Sequence, residues 1–394
     1  MSTPLPAPGA PIEHYVSTAP FDPMSVEAMT AEQSRVYQAS QLRLMWWKFK
    51  RHKVAVASGI FLAFLYALIL VSEIVAPYNL HTRNMDYIYS PPQRVHLFDN
   101  QGSFVGPFVY GRQMNLDMET LKRVYTDKPG DIQPIRFLCR GDSYKFWGFV
   151  ESNFHFICPA VNGEMFLLGT DRLGRDVLSR IIYGARISLT IGLLGVAFSF
   201  VLGIVIGGLA GYHGGPFDMI VQRIIEVLQS LPSIPLWMAL AAIMPVTWHP
   251  IVIYFAITMI LGMLDWTGLA RAVRSKLLAL REEDYVLAAQ LMGAKPARII
   301  GRHMIPGFMS HLIATATIAI PGMILGETAL SFLGLGLRPP ITSWGILLTE
   351  ARGVTVIAFY PWLLFPMIPV ILVILAFNFL GDGLNDALNP KGQK

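Results

Sequence analysis

A helix crosses a hydrocarbon layer ~30 Å thick with about 20 mostly apolar residues, because it rises ~1.5 Å per residue. Six blocks of this chain meet that length: 54–75, 186–210, 219–244, 250–270, 306–330 and 354–380. No other property of the sequence narrows the fold as much, since only helices or closed barrels satisfy their backbone in lipid. Composition agrees. Of 394 residues 53% are hydrophobic and only 14% charged, against roughly 25% charged in soluble domains. The expected class is an all-α integral membrane protein of six transmembrane helices.

Charge placement predicts the orientation. The first block follows Arg43, Lys48, Lys50, Arg51 and Lys53, with Trp46 and Trp47 suited to the headgroup layer. Such a basic flank holds the N-terminus in the cytoplasm. Six crossings return the C-terminus to the same side. The segment between the fourth and fifth blocks carries Arg271, Arg274, Lys276, Arg281, Lys295, Arg298 and Arg302, whereas the short loops opposite carry only Arg338 and Arg352. The net charge of +5 is therefore spent beside membrane spans. Nucleic acid is not expected as a partner, because no soluble basic face with interleaved aromatics is present.

Four regions follow: a cytoplasmic extension (1–45), a first span with its basic flank (46–76), an extracytoplasmic insert (77–179), and a five-helix core (180–390) holding a cytoplasmic loop (271–305). The extension is Pro-, Ala- and Ser-rich with helical character around 25–40. It has no apolar run before Gln41, so no cleavable signal peptide is expected there. The insert is polar, aromatic-rich and nearly charge-balanced. Phe98-Asp99-Asn100-Gln101-Gly102-Ser103-Phe104 reads as a hairpin. Both cysteines, Cys139 and Cys158, lie in the insert, where an oxidising compartment permits a disulfide. Spacing alone is equally compatible with two free thiols.

No enzyme constellation is present in the sequence. A phosphate-cradling G-x-x-x-x-G-K-[ST] loop, an H-E-x-x-H pair, a Cys/His cluster at zinc spacing and a G-x-S-x-G elbow are all missing. The nine histidines are scattered, and His311 on a span reads as a packing residue. The proline pair Pro232 and Pro235 is expected to kink the third span and mark the translocation route. Charges within spans need partners: Glu226 is expected to pair with Arg223, and Asp265 with Arg271. Glu327, among Gly326, Ala329, Gly334 and Gly336, reads as a structural hydrogen-bonding group at the extracytoplasmic end or as a substrate contact.

The most distinctive stretch is Arg281 to Pro296. Charged residues, Asp284 and Tyr285 among the first, open a helix, small residues Ala288 and Ala289 admit a close neighbour, Gly293 ends the helix, and Pro296 starts another. Here the chain resembles the membrane subunits of ABC importers, whose cytoplasmic loop follows E-A-A-x3-G-x9-I-x-L-P. The matching residues are Leu287-Ala288-Ala289, Gly293 and His303-Met304-Ile305-Pro306. Leu287 replaces the acid and His303 the usual isoleucine. Leu168–Arg180, Gly326–Leu337 with Pro339-Pro340 and Ser343-Trp344-Gly345, and the tail Leu380–Pro390 are similar to signatures of oligopeptide/dipeptide-type permeases.

The resemblance implies a type I importer permease fold in a bacterial inner membrane. It implies no enzymatic activity and no cofactor on this chain, with ATP and magnesium held by two partner ATPase subunits. A second homologous permease subunit, an extracytoplasmic substrate-binding protein and membrane lipid complete the expected partners. The helix 287–293 would couple ATPase closure to the spans, with Pro306 as a stiff junction. Peptides are the implied cargo, with opines, oligosaccharides and nickel chelates as alternatives carried by the same class. An ion-coupled secondary transporter would require mid-membrane coupling acids and inverted repeats, neither of which the sequence displays.

Overall fold

The computed structural model describes residues 41–119, 122–245 and 247–388; the expected helix around 25–40 and the end of the 380–390 signature lie outside them. Helix α1 (Gln41–Arg51) carries the basic flank, and Arg43 sits 5.0 Å above the Trp47 ring. The first span, α2 (Lys53–Leu70), is capped by His52, whose Nδ1 accepts from the Ala55 amide. A short turn of helix, α3 (Ser72–Val75), follows.

The insert forms two antiparallel sheets. Strands β1 (His96–Phe98), β2 (Phe104–Asp117) and β3 (Lys122–Pro134) make one; β4 (Arg136–Phe146) and β5 (Val150–Cys158) make the other. The expected hairpin at 98–104 is present: Phe98 opposes Phe104, and Asp99 Oδ1 accepts from the amides of Gln101 and Ser103. Gly102, at φ +79°, supplies the left-handed turn residue. Cys139 and Cys158 are joined by a disulfide.

The helical core begins with α4 (Val177–His213), which starts well before residue 186, where its apolar block begins. Asp176 is its N-cap, accepting from the Ser179 amide at 2.7 Å, so the helix winds in from the signature sequence. Helices α5 (Gly215–Ser230) and α6 (Ser233–Ala242) form one broken unit bent by 90°. The pyrrolidine of Pro232 disfavours helical backbone in the residue before it, and Leu231 is extended at φ −92°, ψ 136°. Pro235 sits inside the first turn of α6, where its missing amide costs nothing. Of the two prolines, Pro232 makes the break and Pro235 does not.

Helix α7 (Pro250–Leu280) runs past Ala270, where the fourth apolar block ends, and carries the basic residues 271–276 on its last turns. Helix α8 (Asp284–Leu291) is the loop helix. A π-helical turn (Ile299–Met304) and a 3-10 turn (Ile305–Phe308) lead into α9 (Met309–Phe332). Pro306 therefore stands in a 3-10 turn three residues before α9 begins, not at the head of the span. Helices α10 (Trp344–Glu350), α11 (Val354–Phe359) and α12 (Met367–Leu388) are the last of the described elements.

Among the described residues five helical segments are long and apolar enough to cross a membrane, and six if the bent α5–α6 pair counts as one span. Their common core joins Leu62, Leu189, Ile191, Ile257, Leu261 and Ile324 with Val373. Helices α4 and α7 pack most closely along glycines of α4: a Cβ on Gly211 would lie 2.8 Å from the Arg274 carbonyl oxygen. Small residues let transmembrane helices approach to backbone contact.

Candidate functional site

The loop helix α8 is held from below and bare above. Val286 (0% exposed) and Ala289 (9%) turn inward onto Val273, Leu277, Ile299 and Met304. Its end is a Schellman motif: Gly293 N–H donates to the Gln290 carbonyl at 2.9 Å and Ala294 N–H to the Ala289 carbonyl at 3.1 Å. That arrangement needs a left-handed residue, and Gly293 has φ +76°. Pro296 then opens the next turn at its first position.

The outer face is apolar. Leu291 is 90% and Met292 83% exposed, flanked by half-exposed Tyr285 and Leu287 and by exposed Asp284 and Ala288. The two alanines thus have different tasks. Ala288 offers a close approach outward, while Ala289 seals the underside. His303 and Pro306 are exposed on the following turns, away from the buried cluster. Sequence reasoning passed over Leu291 and Met292 as site residues, although two large apolar side chains directly before a helix-ending glycine in a charged loop were signal enough. It also passed over Tyr212, whose hydroxyl accepts from Gln290 Nε2 at 3.4 Å and whose carbonyl accepts from Arg281 Nη1 at 3.5 Å. Tyr212 ties α8 to the end of α4.

At the other end of the spans the signature blocks meet one another. Asp171 accepts from Arg175 Nε at 2.6 Å and pairs with Arg180; Glu350 Oε1 receives Arg175 at 3.1 Å and Arg180 at 2.9 Å. The Asp171 and Arg180 side chains are 1% and 3% exposed. Alongside, Trp362 Nε1 donates to the Thr170 carbonyl at 3.0 Å. Gly174, at φ +69°, presses on the Asn84 backbone where a Cβ would not fit.

A second polar cluster lies deeper. Glu327 has no exposed surface and accepts from the hydroxyls of Ser188 (3.3 Å), Ser331 (2.8 Å) and Ser343 (2.6 Å). Each serine oxygen in turn accepts a backbone amide: Trp344 to Ser188, Leu337 to Ser331, Ile346 to Ser343. The carboxylate therefore organises three otherwise orphaned amides across α4, α9 and α10, and presents no open edge to a solute.

Of the charged pairs expected within spans, Arg223 and Glu226 meet at 2.8 Å. Asp265 and Arg271 do not: Asp265 makes no ion pair among the described residues. Residues three or four apart share a helix face, whereas six apart they do not. Outside the spans, burial raises the Asp176 carboxyl to about 6 despite its bonds from Ser179. Burial likewise raises Glu164, against hydrogen bonds from Tyr78 and Asn84. No group of three or more His, Cys, Asp or Glu positioned to hold a metal occurs among the described residues.

The described residues form a polytopic helical subunit with an apolar knob at one end of its spans and an ion-paired cluster at the other. The chain belongs to the family of binding-protein-dependent transport system inner membrane components, matched over residues 203–394; it is an ABC importer permease subunit of the inner membrane. Residues 40–92 match the N-terminal TM domain of oligopeptide transport permease C. The dipeptide transport system permease protein DppC of Bacillus subtilis is 42% identical over 57% of this chain and 68% of its own length. The glutathione transport system permease protein GsiD of Pectobacterium atrosepticum is 42% identical over 57% and 72%. The Lactococcus lactis DppC is 30% identical over 89% of this chain and 90% of its own length, a span that must include most of the insert.

Proposed function

We propose that this chain forms half of a translocation pathway for short peptides, with a second homologous permease subunit, and takes its energy from two ATPase subunits that dock on α8. The carrying observation is the outer face of α8, where Leu291 and Met292 stand almost fully exposed on a helix whose underside is sealed. An apolar knob rigidly backed by the protein is suited to fill a cleft on a partner. The chain holds no nucleotide site; ATP and magnesium belong to the partner subunits. Both termini lie in the cytoplasm, as the basic flanks of α2 and α7 favour. A binding protein delivers peptide to the extracytoplasmic side. Peptide as the cargo is supported by the names of the relatives, with glutathione a member of the same chemical class.

Closure of the ATPases would press α8 toward its counterpart, and the Ala289–Ile299–Met304 cluster would pass that displacement to α7 and α9. In reconstituted vesicles, uptake of labelled peptide should need ATP and the binding protein and ignore proton or sodium gradients. Uptake that follows an ion gradient instead would sink the reading. Gly293→Pro and Ala289→Arg should abolish uptake and ATPase stimulation while the protein still inserts; normal stimulation in either would remove the loop from coupling.

A further inference from the structure

The tip of the β4–β5 hairpin has a composition and a location that its own sheet does not explain. The turn Phe146-Trp147-Gly148-Phe149 closes with the Phe149 amide donating to the Phe146 carbonyl at 3.0 Å. Trp147 (φ +49°) and Gly148 (φ +80°) both adopt left-handed backbone. With Phe146 paired to Val150 the loop is three residues long; a left-handed position outside glycine favours Asn, Asp or His, and here the first such place is taken by tryptophan.

Contacts to the first span hold Trp147 there. Its Nε1 donates to the Leu70 carbonyl at 3.0 Å and its amide to Glu73 Oε1 at 3.2 Å. The Arg186 guanidinium lies 4.3 Å over its ring and also pairs with Glu73, with Nη1 to Oε1 at 2.7 Å. Beyond these anchors the tip is bare and apolar: Phe149 is 88% exposed, Val150 62% and Trp147 45%. Lys145 and Glu151, paired at 3.4 Å and open to solvent, form a charged collar behind it.

The depth of this point follows from the first span. Lys53, at the start of α2, and Glu73 are 20 residues apart, which at ~1.5 Å per residue is about 30 Å, the thickness of the hydrocarbon core. Glu73 and Arg186 therefore mark the outer boundary of the apolar layer, and Trp147 sits on that boundary. Indole, with an apolar body and one polar N–H, prefers this level. Phe149 and Val150, next to it and uncovered by the protein, face the same layer.

We infer that the β4–β5 tip, Trp147 to Val150, inserts into the outer-leaflet headgroup region and fastens the extracytoplasmic insert to the lipid surface. The partner is the bilayer itself, met by aromatic and aliphatic side chains with Lys145 placed for lipid phosphate. The insert is then held at two points, by the chain entering from α3 and by lipid.

Because both native cysteines are bonded to each other, Phe149→Cys introduces a single free thiol. A nitroxide there, in the full chain assembled with its partner subunits in lipid nanodiscs, reports collisions with oxygen, which concentrates in lipid, and with a water-soluble nickel chelate. Ile60→Cys, on the exposed face of α2, serves as the lipid reference, and Gln101→Cys, at the β1–β2 turn, as the water reference. The expected result is a depth parameter at Phe149 shifted from the Gln101 value toward the Ile60 value. Val150→Cys should shift likewise, which protects the reading against a local disturbance at one site. Nickel accessibility equal to that of Gln101 at both positions overturns the inference. So does shielding from both colliders, which would mean a protein neighbour covers the tip.

Discussion

The ion-paired end of the core and the α8 knob at the opposite end solve the same problem, fixing short segments between long helices, with opposite materials. At the first, Asp171, Arg175, Arg180 and Glu350 form a nearly dry ion network, and Glu327 gathers three serines. At the second, α8 rests on Val286, Ala289, Ile299 and Met304 and keeps its charges in water. Buried charges bind only in one geometry, since a lost partner leaves a desolvated ion. Apolar packing is non-directional and tolerates small shifts. The comparison teaches that one end of this subunit is registered by directional charge pairs and the other by non-directional apolar packing.

The largest effect expected from that contrast comes from Leu291→Glu. The side chain is outside the folded core, so the subunit should accumulate and melt normally. If α8 docks as an apolar anchor, a hot-spot loss of ~2–4 kcal/mol weakens ATPase binding by roughly 30-fold or more, measured as co-purification and stimulated ATPase. Unchanged docking would break the contrast at α8. Glu350→Ala acts on the other material. Leaving the buried Arg175 and Arg180 to share Asp171 alone should cost about 3–5 kcal/mol, read as a lower melting temperature with α8 docking retained.

Two smaller tests sharpen the outer end. Replacing both cysteines by serine opens the link between residues 139 and 158 and should cost about 3 kcal/mol in the chain-entropy account. The loss should appear as faster hydrogen exchange in β4 and β5 only, sparing α4 and α12. The smallest effect concerns Asp176, raised to about 6 by burial from an ordinary value of 3.8. A carboxyl raised in the folded state binds its proton there first, so stability rises as pH falls through 6 toward 3.8. The gain in melting temperature between pH 7.5 and 5 should shrink in Asp176→Asn, which keeps the cap and loses the titration; an identical gain would show that other groups produce it.

The spans, their order and the helix-ending role of Gly293 could be read from the sequence because each depends on local properties: apolar length, flanking charge, a residue permitting positive φ. Boundaries were less legible. Helix α7 continues to Leu280 because nothing between Ala270 and Leu280 breaks a helix; charge marks the membrane surface, not the end of the winding. Helix α4 starts early because Asp176 caps it, a signal within the signature block that apolar length masks. Long-range pairings were invisible: Glu350 is 170 residues from Arg180, and nothing in one sequence joins them. The Asp265–Arg271 expectation failed on helix geometry, which six-residue spacing already contained. At the candidate site, the motif drew attention to Ala289 and His303, while the exposed apolar pair beside Gly293 carries the surface.

The break at Leu231–Pro232 has a consequence for hydration. Residues 231–235 are all exposed on this chain, yet backbone that has left the helix cannot face hydrocarbon, where an unmatched carbonyl or amide has no donor or acceptor to meet. The Ser230 hydroxyl donates to the Val227 carbonyl at 2.7 Å, which satisfies one group of the interrupted turn. The remaining carbonyls at the end of α5 must look onto a water column or a neighbouring chain. Wherever six crossings of this subunit sit in a bilayer, the elbow between α5 and α6 is a point at which the bilayer's dryness ends.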